Sequence, residues 1–174
     1  NEIKEINKLS QIYNFIKIIN IVPNQGSYNA RNEGIKIAIG DIIALLDAGV
    51  FVQAGWYEEV VKNIENFDYL AGNVTVPLKW AQSPDEIYNA INSFPVKHYL
   101  EQRHFGVTAN LVIKKNVFNK IGHFDNRLRS GGDMDLGTRV YEGEFKQIYL
   151  HNLKVFHQPR NLEETKKKSK RVIK

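Results

Sequence analysis

The sequence predicts an α/β fold, a mostly parallel central sheet flanked by helices. Three observations carry that expectation. Segments with helical apolar spacing alternate with β-branched apolar runs through the first half of the chain. The apolar run Ala44-Leu45-Leu46 ends abruptly in Asp47, which is how a strand ends at the ligand-binding edge of an open α/β sheet. Finally, 174 residues with 43% hydrophobic and 25% charged side chains have the size and composition of one folded domain.

Each element follows from local pattern. Ile3, Ile6, Leu9, Ile12 and Tyr13 recur at helical spacing, and Ile16, Ile18, Ile19, Ile21 and Val22 form a compact β-branched run, so a helix is expected to feed a buried strand. After the loop Pro23-Asn24-Gln25-Gly26, Ser27 is placed to cap a helix from Tyr28 to Ile39 that Gly40 ends. Asp41 to Leu46 reads as the next strand. Trp56, Val60, Val61 and Ile64 give an amphipathic helix, and Tyr69 to Leu78 a third strand. Ser83 to Arg103 is helical in pattern, started by Pro84 and broken at Pro95. Val107 to Lys114 then reads as a strand, Asn116 to Ile121 as a short helix and Gly131 to Tyr141 as another. Phe145 to Leu150 and Lys154 to His157 are expected as two short late strands. A doubly wound sheet normally opens on a strand, whereas this chain opens on a helix; the expectation is a fold truncated at the amino terminus, with a βα(β) piece upstream.

Composition narrows the function classes. Cysteine is absent, which excludes disulfides and thiolate metal sites, so any metal is held by oxygen or imidazole. No apolar run approaches the roughly 20 residues of a membrane span, and the first residues lack a signal-peptide core; a cytoplasmic location is the expectation. The net charge of +5 is concentrated in Lys166, Lys167, Lys168, Lys170, Arg171 and Lys174. Such a run is a solvated helix face or a patch attracted to anionic lipid headgroups. No nucleic-acid-binding motif accompanies it.

Three places could carry chemistry. Asp47 at its strand end could hold a divalent cation against phosphate oxygens or simply cap the following turn. In Ser130-Gly131-Gly132-Asp133-Met134-Asp135-Leu136, two glycines permit close approach of a ligand, and a carboxylate at a helix start is kept ionised by the helix dipole. Asp133 is then a candidate general base, against a plain helix cap with Asp135 and Arg139 as a surface i,i+4 pair. His157 could ligate a metal and Arg160 clamp a diphosphate.

Taken in order, Asn24-Gln25-Gly26, Ala30-Arg31-Asn32-Glu33-Gly34, Gly40-Asp41-Ile42-Ile43, Leu46-Asp47-Ala48-Gly49 and Trp56 resemble the family-2 glycosyltransferases. The resemblance continues with Asn110, Val117-Phe118, Ile121-Gly122-His123-Phe124-Asp125, Gly131-Gly132-Asp133-Met134-Asp135-Leu136, Arg139, His157 and Arg160. It implies the GT-A nucleotide-sugar-binding fold, with residues 1–174 as one partial catalytic domain and 161–174 as a basic helical tail. It further implies an inverting glycosyltransferase that moves a sugar from a nucleotide-diphosphate donor to a hydroxyl acceptor in bacterial polysaccharide or glycolipid synthesis. By the same resemblance Asp133 is the base; Asn24, Gly26, Arg31, Asp47 and Arg160 border the donor; and Asn110, Gly132 and Asp135 lie on the acceptor side. Asp47 and His157 would hold Mg2+ or Mn2+, with Gly49 in the place of the second acid, as in a subgroup reading Asp-Ala-Gly. The stretch Ser83 to Arg103, with Trp80, His98, Tyr99 and His104 in or beside it, corresponds to the acceptor loop. The implied partners are a nucleotide-sugar donor and a glycan or lipid-linked acceptor, with the inner membrane face contacted through the basic tail and no nucleic acid. Two rival readings are a non-catalytic nucleotide-sugar or glycan-binding module and a GT-A-like nucleotidyltransferase.

Overall fold

The computed structural model describes residues 2–166, with side chains from residue 4 onward. Helix α1 (Glu2–Ile12) and helix α2 (Ser27–Ile37) precede strands β1 (Ile42–Leu46) and β2 (Phe51–Val52). Helix α3 (Trp56–Ile64) and strand β3 (Tyr69–Thr75) follow, then a short 3-10 turn at Leu78–Trp80. Helices α4 (Pro84–Asn92) and α5 (Val96–Arg103) lead to strand β4 (Asn110–Lys114), helices α6 (Lys115–Ile121) and α7 (Gly132–Glu142), and strand β5 (Gln147–Phe156).

The five strands form one sheet in the order β1-β4-β3-β5-β2. The α/β layering is as the sequence predicts, but the expectation of a mostly parallel sheet is corrected. Among the described residues only β3 and β5 pair in parallel, and β1 with β4, β3 with β4 and β2 with β5 are antiparallel. Strands β1, β3 and β5 do run the same way; the late strand β4 enters between β1 and β3 in the opposite sense. Helix-strand alternation encodes the crossovers but not which later strand fills the gap they leave.

The central strands β3 and β4 are buried on both faces, to which their side chains alternate, while the edge strands β1 and β2 are largely exposed. Leu70 of β3, Val112 of β4 and Leu153 of β5 meet Val60 and Ile64 of α3 on one face. Tyr69, Ala71, Leu111 and Ile113 point to the other, where α5, α6 and α7 contribute Val96, Leu100, Val117, Phe118, Leu136 and Val140. Each large aliphatic side chain removed from water in this way stabilises the fold by about 1.5–3 kcal/mol.

A buried amide locks the centre. Asn110 is fully buried; its Nδ2 donates to the carbonyls of Asn73 (3.0 Å) and Leu153 (2.7 Å), and its Oδ1 accepts from Trp56 Nε1 (2.9 Å). These bonds bridge the place where the β3–β5 register shifts, between Gly72 and Asn73. Gly72 has to be glycine there, since a Cβ would overlap the Asn110 amide and the Leu153 carbonyl.

Local expectations hold where the signal is local. Ser83 Oγ caps α4 by accepting from Glu86 N–H (3.3 Å), Pro84 occupies its first turn, and Pro95 separates α4 from α5. Three expectations are corrected. Residues 16–22 form no strand, and Ile18, Ile19 and Val22 are 47%, 40% and 80% exposed; no strand among the described residues lies beside them, and a strand without a ladder partner leaves its backbone groups unpaired. Helix α2 begins at Ser27 itself, with Gly26 at the cap position in a positive-φ conformation (90°) and no side-chain cap bond. The two late strands are one ten-residue strand, β5, continued through the register shift. Residues 162–166 are helical, and the rest of the basic tail lies outside the described residues.

Candidate functional site

The site is a cleft of about 580 Å³, within the range that encloses a nucleotide-sized ligand. It opens at the carboxyl end of β1, where Leu46 pairs with Asn110 at the start of β4. Helix α2 supplies Tyr28 and Arg31, the β1 end supplies Asp47, and the turn before β4 supplies Thr108; Asp133 comes from the first turn of α7, and Arg160 from beyond β5. The cleft therefore sits where an open α/β sheet binds ligands, and the topology brings together residues up to 133 positions apart, from Ser27 to Arg160.

Asp133 is presented by a turn that only glycine makes easily. Gly131 caps α7 in the left-handed conformation (φ 79°), so the chain turns sharply into the helix and the carboxylate enters the cleft. Thr108 donates to it twice, from its backbone N–H to Oδ2 (3.2 Å) and from Oγ (3.2 Å). Burial raises the Asp133 pKa above the ordinary carboxylate value; the Thr108 bonds and the nearby Arg31 charge oppose the rise, while Asp47 adds to it. A carboxylate raised in this way is more basic than a surface aspartate, the direction a general base requires.

Arg31 faces it from α2. Its guanidinium donates to Asp47 Oδ1 (3.0 Å) and lies over the rings of Tyr28 (5.7 Å) and Phe124 (5.9 Å), which are themselves stacked. The Tyr28 hydroxyl accepts from Gly132 N–H (2.9 Å), tying α2 to the start of α7. Buried Asn32, one residue on, exchanges hydrogen bonds with both the carbonyl and the N–H of Phe124. The Asp47 side chain thus makes an ion pair across the cleft and does not cap its turn.

Other predicted residues fall elsewhere. Asn110, expected on the acceptor side, is a core residue with its amide committed internally. Asp135, also expected there, pairs with Arg139 (2.7 Å), whose guanidinium in turn binds the carbonyls of Ile121 and His123; it fastens α7 to the loop after α6. Gly132 abuts the Tyr28 ring, and a Cβ would collide with it. Asn24 and Gly26 do not line the cleft; Asn24 Oδ1 accepts from Gly26 N–H (2.9 Å) and shapes the loop entering α2. Of the acceptor-loop aromatics, Tyr99 lines the cleft. Trp80 instead packs edge-on against Phe51 and Phe156, His104 stacks on Tyr141, and His98 is exposed outside the cleft.

Sequence reasoning missed Tyr28, Phe94, Thr108, Arg103 and Arg129, all of which line the cleft. Tyr28 had a findable signal, being three residues before Arg31 and therefore on the same helix face. Phe94 adopts φ 56°, a conformation rare for bulky side chains, and its ring sits 5.2 Å from that of His157 and 5.4 Å from the Arg160 guanidinium.

The donor set for a metal is sparse. Among the described residues no three His, Asp or Glu side chains gather as a protein-made metal site. A Mg2+ or Mn2+ ion needs only one or two carboxylates when substrate phosphates and water complete its shell, and Asp47 fits that demand. His157 Nδ1 lies 2.7 Å from the Gln158 carbonyl; a carbonyl only accepts, so Nδ1 donates, and in the neutral ring the lone pair that a metal ligand needs is then on Nε2.

Comparisons with known proteins bear on the family and the fold. The family model described as glycosyl transferase family 2 matches residues 2–130. Glycosyltransferase AglE of Haloferax volcanii is 31% identical over 172 residues, covering 97% of this chain and 57% of AglE. A mannosyltransferase from Pyrobaculum calidifontis, PcManGT, solved in complex with GDP-Man and Mn2+, superposes with a TM-score of 0.69 at 12% identity, over 93% of this chain and 46% of that one. Residues 1–349 of S. aureus TarS in complex with UDP-GlcNAc superpose with a TM-score of 0.65 at 14% identity, over 92% and 47%. The chain spans about half the length of the curated relatives it matches.

Proposed function

Because the chain belongs to glycosyl transferase family 2 and has the GT-A fold, we propose that it transfers a sugar, with inversion, from a nucleotide-diphosphate donor to an acceptor hydroxyl. The observation that carries this reading is Asp133, held by Thr108 and made more basic by burial, facing the Arg31–Asp47 pair across one cleft. Asp133 lies three residues beyond the segment the family model matches, so its assignment rests on geometry and chemistry.

Inversion needs a base on one side of the anomeric carbon and a stabilised leaving group on the other. Asp133 takes the proton of the acceptor hydroxyl as that oxygen attacks; the bond from the anomeric carbon to the phosphate oxygen breaks, and the nucleoside diphosphate leaves. Arg31 and Arg160 bind the charge that accumulates on the diphosphate. Asp47 and His157 would hold a Mg2+ or Mn2+ ion, which supplies Lewis-acid neutralisation of the same charge. The acceptor is a glycan or lipid-linked glycan of bacterial polysaccharide or glycolipid synthesis. The reaction is placed in the cytoplasm at the inner membrane face, reached through the basic tail.

Thermal-shift titration with UDP, GDP, dTDP and CMP, each with and without Mn2+, tests the reading. One nucleoside diphosphate is expected to raise the midpoint, as any ligand that binds only the folded state does. Arg31→Ala is expected to weaken that diphosphate by about 10- to 100-fold, the loss of one charge-assisted contact of about 1.5–3 kcal/mol. Silence from every nucleotide would favour a non-catalytic module, and release of pyrophosphate in a product assay would favour a nucleotidyltransferase.

The pH profile of transfer supplies a second test. Activity is lost on the acid side as Asp133 is protonated, above the pH at which an ordinary aspartate titrates, because its pKa is raised. Arg31 lowers that pKa and Asp47 raises it. Arg31→Met is therefore expected to move the acid limb of kcat to higher pH, and Asp47→Asn to lower pH. Shifts of the same sign in both variants would detach Asp133 from the acid limb.

A further inference from the structure

Helix α4 is built inside out. Ile87, Tyr88 and Ile91 are 45%, 70% and 67% exposed, and no residue of the helix is buried. At offsets of one and four residues the three share one helical face. The opposite face, turned to the protein, is polar or small. Asn89 Oδ1 accepts the Arg160 N–H (3.0 Å), Glu86 Oε2 accepts the Gln82 N–H (2.7 Å), and Ala90 is half-buried on the same face. Asp85 and Asn92 flank the two faces. A helix on a water-facing surface shows the reverse pattern, with its apolar stripe toward the core. Nothing local excuses the inversion, since α4 is well begun by its Ser83 cap and Pro84. The apolar surface extends to neighbouring segments: Leu78, in the 3-10 turn that contacts α4, is 58% exposed, and Leu162 is 45% exposed.

We propose that this face docks on a lipid bilayer carrying anionic headgroups. The charge of the adjoining chain selects that occupant. The backbone bonded to α4 at Arg160 runs within a few residues into Lys166, Lys167, Lys168, Lys170, Arg171 and Lys174. An apolar helical face on a chain that continues into a lysine run is a combination that binds an anionic membrane surface: the aliphatic side chains enter the acyl boundary, Tyr88 lies at headgroup depth, and the lysines attract the headgroups. The position of α4 gives docking a purpose. Arg160, bonded to α4, and Phe94, two residues after it, both line the cleft, so a bilayer held on this face lies at the rim of the site containing Asp133. The acceptor would then be a lipid-borne sugar. That last consequence rests on the proposed transferase reading; the docking itself does not.

Co-sedimentation with vesicles, run beside nucleotide thermal-shift measurements, tests the two separately. The parent chain is expected to bind phosphatidylglycerol-containing vesicles and to bind neutral phosphatidylcholine vesicles much less. The double variant Ile87→Glu/Ile91→Glu is expected to lose binding by about tenfold or more, since both anchors become charged, with its nucleotide response unchanged. Lys167→Glu/Lys168→Glu is expected to weaken binding to the anionic vesicles. The proposal is overturned if the parent ignores anionic vesicles, or if Ile87→Glu/Ile91→Glu binds them as the parent does. It is equally overturned if that variant changes only self-association in sedimentation velocity, which would give the face to a second copy. Loss of nucleotide response in the parent, with vesicle binding intact, would instead strike the transferase reading alone.

Discussion

Asp133→Asn is expected to lower kcat by about 10²- to 10⁴-fold, the contribution of a positioned general base, while donor binding and the fold survive. The amide keeps an oxygen to accept from Thr108 but cannot take a proton from the acceptor hydroxyl. Stability separates this from simple damage to the site. Burial raises the Asp133 pKa in the folded chain above its value of 3.8 in the unfolded one, so between those values the folded state binds the extra proton. The contribution of this group to stability is present below pH 3.8 and is lost as pH rises through the raised value. Above that raised value the ionised carboxylate therefore opposes folding, and replacing it there by a neutral amide should leave the thermal midpoint equal or higher. Parental turnover in Asp133→Asn would remove the base assignment. A midpoint that falls sharply would mean the residue serves mainly to hold α7.

Asn110→Leu is expected to be the most destabilising single change of similar volume in the centre of the sheet. It strands the Trp56 indole N–H and the carbonyls of Asn73 and Leu153, all bonded to the Asn110 amide. Each buried polar group left without a partner costs about 1–3 kcal/mol, so the total is on the order of 3 kcal/mol or more, a large part of the 5–15 kcal/mol that holds a typical domain together. Denaturant titration would read this as a lower midpoint with little change in slope, and transfer per folded molecule should be nearly parental because Asn110 does not line the cleft. Unchanged stability with a raised acceptor KM would restore Asn110 to the acceptor side.

The elements that were legible in the sequence share one property. Their signals act within a few residues. Pro84 behind Ser83 starts α4, Pro95 ends it, Gly131 turns the chain into α7, and apolar spacing from Trp56 to Ile64 marks α3. Asp47 and Asp133 were legible as site candidates for the same reason: one terminates a strand and the other opens a helix. The β-branched run from Ile16 to Val22 shows the limit of such signals. Its pattern fits a strand, yet a strand exists only where another offers it a ladder.

By itself, then, the sequence determined the α/β class, most element boundaries and the two carboxylates of the cleft. Tertiary structure decided what joins them. It set β4 against the direction of its neighbours, made Asn110 a core fastener bridging to a carbonyl 43 residues away, brought Arg31 onto Asp47 and Thr108 onto Asp133, and turned the apolar face of α4 outward. The physical reason is range. Capping, turn and periodicity preferences are settled by neighbours in the chain, whereas burial, strand direction and the charge environment of a carboxylate depend on segments that meet only once the sheet has closed.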